Sequence, residues 1–76
     1  MKYIRFQNRG FVLFEEAQSH AEIAKMLGDE VVSAGYVRAV DFVADGQVVC
    51  SGESDSLKCS AQKGDTPALR QRLSPV

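Results

Sequence analysis

The chain reads as an α+β domain: a mainly antiparallel sheet of four to five strands in ββαββα order, with two short helices on one face. Three observations predict this. Apolar stretches turn back at Gly10 and again at Gly46, as hairpins do. Ser19-His20-Ala21-Glu22 opens one helix and Thr66-Pro67 opens another. Each helix signal follows a pair of strands, so two strand–strand–helix units share one sheet. The units are not a sequence repeat, since Gly10 to Ser19 spans nine positions and Gly46 to Thr66 spans twenty.

The first strand covers residues 2–7, with Ile4 and Phe6 on one side and Tyr3, Arg5 and Gln7 on the other. Asn8-Arg9-Gly10 supplies the turn. Residues 11–16 form the second strand, and Phe11-Val12-Leu13-Phe14 is apolar on both sides, which predicts burial from both. Ser19 and Glu22 then make a capping box for a helix over 19–27. Its stripe is Ile23, Met26 and Leu27 with Ala24 beside them, and Gly28 takes the C-cap. The third strand spans 31–43 and is interrupted at Ser33-Ala34-Gly35, where Gly35 marks a bulge or a close backbone approach. Asp45-Gly46 turns it into a fourth strand at 47–51. Leu57 and Cys59 alternate with polar neighbours, predicting a short fifth strand or an extended edge. Thr66 caps the last helix with Pro67 at its first position; Leu69 and Leu73 face inward, Arg70 and Arg72 outward.

Composition narrows the function classes. Seventy-six residues make one domain, 1–76, large enough to bury about 60% of its unfolded surface. Nine basic residues are scattered among ten acids, for a net charge of −1, which argues against a nucleic-acid module with concentrated positive charge. The first nine residues carry charges inside their apolar stretch and lack a signal-peptide core, so the expected location is the cytoplasm, with no membrane partner. Cys50 and Cys59 are then reduced thiols behaving as small buried hydrophobes.

The chemistry-bearing residues do not assemble into a known pattern. Nucleophilic catalysis needs a Ser or Cys beside an oriented base, and His20 is the sole histidine. It follows a helix cap, where the expected position is solvated and the helix dipole disfavours its charged form. A thiol or serine enzyme using His20 is the least favoured reading. Ser51-Gly52-Glu53-Ser54 is not a nucleophile elbow. Cys50 and Cys59 lack zinc spacing, so no metal and no cofactor is expected. Glu15 and Glu16 point to opposite sides of a strand, and Glu53 and Asp55 read as a solvated edge. Asp65 puts negative charge where a helix start would otherwise hold an anion.

One constellation stands out. Tyr3 and Arg5 share a face of the first strand, and Tyr36 and Arg38 share a face of the third. If these strands are neighbours in the matching register, the four residues form a Tyr/Arg patch on the sheet face away from the helices. Such residues are enriched in protein interfaces, while cation–π packing is the purely structural explanation. The same types bind single-stranded nucleic acid by stacking, the alternative reading. A one-residue slip in register exchanges the faces.

The segments Gly10-Phe11-Val12-Leu13-Phe14-Glu15, Ser33-Ala34-Gly35-Tyr36-Val37 and Ser51-Gly52-Glu53-Ser54-Asp55-Ser56-Leu57 resemble pieces of short uncharacterised proteins encoded by bacterial phages and prophages. The resemblance implies a bacterial setting and an accessory role, and carries no site residues with it. The expected function is a small non-enzymatic interaction module that binds another protein or itself. The apolar second strand points to a symmetric homodimer through a sheet face or edge.

Overall fold

The computed structural model describes residues 1–39 and 48–73. Strand β1 (Lys2–Phe6) turns at Asn8-Arg9-Gly10 into β2 (Gly10–Phe14), antiparallel, with Ile4 opposite Val12. Gly10 sits at φ 80°, which the Cβ of most residues disfavours. The Asp29 carboxylate, from beyond the first helix, accepts hydrogen bonds from the backbone N–H groups of Asn8 and Arg9 and so clamps this turn.

Helix α1 (His20–Leu27) forms where the caps predict it. Ser19 Oγ accepts from Glu22 N–H at 3.1 Å, and Gly28 at φ 63° donates its N–H to Ala24. The stripe is narrower than expected. Ile23 is buried and Leu27 partly so, but Met26 is 71% exposed, because a helix this short meets the sheet along a single line.

Strand β3 (Val31–Ala39) runs without a break through Ser33-Ala34-Gly35 and pairs antiparallel with β1. The register irregularity lies between Arg5 and Phe6 rather than at Gly35. Gly35 marks the close approach instead: a Cβ there would lie 2.5 Å from the Ser51 carbonyl oxygen. Strand β4 (Val48–Ser51) pairs antiparallel with β3. The Asp45-Gly46 turn, the end of the third strand to Val43 and the terminal Ser74-Pro75-Val76 lie outside the described residues. The expected fifth strand resolves into a separate ribbon of β5 (Glu53–Ser54) and β6 (Cys59–Ser60). Helix α2 (Asp65–Leu73) begins one residue before the predicted cap.

The sheet order is β2-β1-β3-β4. Because β1 is antiparallel to both neighbours, β2 and β3 run parallel with β1 between them, and α1 is the crossover that joins them.

The helices do not share a face. Ile4, Phe6, Phe14 and Ala34 project to one side, where Ile23 of α1 completes the core. Tyr3 projects to the other side and meets Asp65 at the start of α2. Each helix covers the apolar stripe nearest its own connection, so the small sheet is sandwiched rather than one-sided. Leu69 is fully buried under α2, whereas Leu73 is 52% exposed, contrary to the predicted inward pair. Thr66 serves as a stitch rather than a cap: its Oγ1 accepts from Cys50 N–H at 2.9 Å. Arg70, expected outside, donates from Nε to the Val48 carbonyl at 2.9 Å and ties α2 to β4 a second time.

Candidate interaction surface

The four residues of the predicted Tyr/Arg patch are divided by the sheet. Tyr3 lies opposite Gly35, and Lys2 lies opposite Tyr36. Residues directly opposite share a face, so Tyr36 projects with Lys2 and away from Tyr3. Tyr3 and Arg5 therefore fall under α2, while Tyr36 and Arg38 lie on the face that carries α1.

The Tyr3 half is internal. Its ring is fully buried and its hydroxyl donates to Asp65 Oδ2 at 2.5 Å. Arg5 Nη1 reaches Asp65 Oδ1 at 3.2 Å, its guanidinium lying 5.2 Å from the Phe11 ring centre. Gln62 N–H donates to the same carboxylate at 3.0 Å. Burial by itself would raise the Asp65 pKa, but these donors outweigh it and hold the carboxyl below its ordinary value. The Tyr3 phenol is pushed far up, by burial first and then by the hydrogen bond to Asp65 and its charge. Burial and the Asp65 charge also raise the Cys50 thiol, against the opposing pull of Thr66, Tyr3 and Arg70. Ser33 Oγ is buried beside this cluster without a hydrogen-bond partner among the described residues. Here Asp65 is the organising group, more than the charge at a helix start that its sequence position suggests.

His20 is also structural in setting. It is 3% exposed, not solvated as its place after the cap suggested. The first turn of α1 tucks beneath the sheet end, where the ring stands edge-on to Phe14 at 5.3 Å and to Tyr36 at 5.8 Å. Nε2 lies 2.9 Å from the Gly35 carbonyl, an acceptor that requires the proton on Nε2. That nitrogen donates to backbone, the lone pair then lies on Nδ1, and no serine or thiol among the described residues hydrogen-bonds to the ring. Among the described residues no group of three or more His, Cys, Asp or Glu is arranged to hold a metal ion, and no helix is long and apolar enough to cross a membrane.

Two surfaces remain outward. Tyr36 is 40% exposed and Arg38 is exposed, with Lys2 beside Tyr36 across the strands. The second is the free edge of β2. Met1 and Val37 exchange backbone hydrogen bonds, at 2.7 and 3.3 Å, so alternate residues Met1, Tyr3 and Arg5 aim their backbone at β3. Lys2, Ile4 and Phe6 then aim theirs at β2 and engage Phe14, Val12 and Gly10. By the same alternation the N–H and C=O groups of Phe11 and Leu13 point outward, and nothing among the described residues bonds them. Strand β2 itself carries no charged residue, proline or bulge, the usual guards of an unpaired strand, although the Arg72 guanidinium of α2 lies beside Gly10 at its start. The double burial expected for β2 is only partial, with Leu13 37% exposed.

Comparison with protein-family models, curated proteins and solved structures finds no match to this chain.

Proposed function

We propose that this chain is a small non-enzymatic interaction module that binds another protein. The observation that carries this reading is the bare β2 edge, where Phe11 and Leu13 present unpaired backbone groups between apolar side chains. An incoming strand would find hydrogen bonds along the edge and apolar contacts on both faces, the recognition mode called β-augmentation. The settings of His20 and Asp65 support the non-enzymatic part, because both side chains are engaged within the fold. A phage or prophage accessory role in a bacterial cytoplasm belongs to the same proposal and rests on the sequence resemblance.

The experiment compares capture by the wild-type chain with capture by Leu13→Pro. That substitution removes an outward N–H and leaves the inward ladder of β2 intact. A partner held by the wild type and released by the variant supports the reading. Identical capture by both chains overturns it.

A second reading is favoured by the grouping of Tyr36, Arg38 and Lys2, a part-exposed aromatic ring among cations beside α1. Single-stranded nucleic acid would stack there, with affinity falling steeply as salt rises. Oligonucleotide binding that is lost on Tyr36→Ala and falls with salt would favour it over the protein reading.

A further inference from the structure

We infer that the occupant of the β2 edge is a second copy of this chain, paired antiparallel about a two-fold axis through Val12. This rests on the interaction reading above and names its partner. Only residues whose backbone points outward can form hydrogen-bonded pairs across such an edge, which limits the strand to a few symmetric registers. Centred on Phe11, the pairing sets Leu13 against Arg9 of the other copy. Centred on Leu13, it sets Phe11 against Glu15. Both oppose an apolar side chain with a charge.

Centred on Val12, the outward-pointing pairs are complementary. Phe11 of one copy lies opposite Leu13 of the other, and their outward N–H and C=O groups exchange hydrogen bonds reciprocally. Val12 meets its own mate on the opposite face, and the backbone of Phe14, whose ring stays in its own core, lies opposite Gly10, which the Arg72 guanidinium flanks. Beyond the strand ends, Arg9 in the Asp29-clamped turn of one copy comes to the same end of the pairing as Glu15 of the other. Both are exposed, and neither makes an ion pair among the described residues. The strand is thus self-complementary in hydrogen bonding and charge in one register. Pairing joins two four-stranded sheets into one continuous sheet, with both copies of α1 on one side and both copies of α2 on the other. The edge is short against the roughly 1,600 Å² of a standard interface, so association is weak and concentration-dependent.

The test is sedimentation velocity of the full chain at low ionic strength, over concentrations up to about 1 mM. The wild type sediments as a concentration-dependent dimer. Arg9→Glu alone and Glu15→Arg alone each weaken dimerisation at least about tenfold, because like charges then face each other at both ends of the paired strands. An equimolar mixture of these two variants associates as the wild type does, since each end again carries opposite charges. The mixture also controls for folding, as two damaged chains would not repair one another. Leu13→Pro abolishes association. A wild type that stays monomeric overturns the inference, as does a mixture that fails to restore pairing. A monomeric wild type that still loses a captured protein on Leu13→Pro sinks self-pairing and leaves the interaction reading standing.

Discussion

Replacing Tyr3 with phenylalanine removes one oxygen from the centre of the molecule and tests what holds α2 to the sheet. The ring keeps its place, so no large cavity opens. What disappears is a hydrogen bond at 2.5 Å to a fully buried carboxylate. Hydrogen bonds to charged groups contribute about 1.5–3 kcal/mol net. Asp65 retains Arg5 and Gln62 N–H, so it is not orphaned, and the expected cost is about 2 kcal/mol. In a domain of this size that lowers Tm by about 8–16 °C. Urea unfolding followed by far-UV circular dichroism gives the free energy, with the denaturant slope unchanged.

The pH profile adds a second reading of the same bond. Asp65 is held below its ordinary pKa when folded, so its contribution is present above the unfolded value of about 3.9 and fades as pH falls through the folded one. Tyr3 is raised when folded, so its contribution is complete below the unfolded value of about 10 and is lost as pH rises beyond it. The wild-type advantage over Tyr3→Phe therefore forms a plateau between these limits and shrinks at both ends. A cost below about 0.5 kcal/mol at neutral pH, within ordinary surface noise, would refute the assignment of this bond as the anchor of α2.

Other outcomes follow from the same geometry. Gly35→Ala drives a methyl to 2.5 Å from the Ser51 carbonyl, and chemical denaturation should show a loss of about 1–3 kcal/mol or more. His20→Ala removes a buried ring and its hydrogen bond to the Gly35 carbonyl, costing about 2–4 kcal/mol in the same assay. Cys50, with its thiol held protonated by burial and by the Asp65 charge, should react with iodoacetamide at neutral pH markedly more slowly in the native chain than in urea, as mass spectrometry would show. Ile4→Ala empties part of the core beneath α1 and should cost about 2–5 kcal/mol, read from the shift in urea midpoint.

Local signals in the chain carry the α+β class and the antiparallel sheet, because they are written in adjacent residues. Ser19 with Glu22, Gly28 at the C-cap and Gly10 at the turn each act within a few positions. Gly35 likewise announced a close approach, though not which carbonyl it would meet. The placement of both helices on one face failed for a different reason. Alternation along β1 shows that Tyr3 and Ile4 part company, but not that each side finds its own helix. The Tyr/Arg patch turned on register alone. Tyr3 pairs with Gly35, and a slip of one residue would have paired it with Tyr36 and united the patch. That choice depends on how β1 and β3 dock, about which no short segment is informative. Asp65 was illegible for the same reason, since its partners Tyr3 and Arg5 lie at the far end of the chain. His20 looked solvated from its position after a cap, and only the docking of α1 against Phe14 and Tyr36 encloses it.

The separation of 62 positions between Tyr3 and Asp65 bears on how the protein is made. Synthesis makes β1 long before α2, yet that strand is central to the sheet and its phenol waits for a carboxylate added 62 residues later. A nascent chain can close the first hairpin early, but the other face of that hairpin stays open until α2 has emerged. Assembly of the sheet is thus deferred by its own connectivity, with the middle strand half-dressed in the interval.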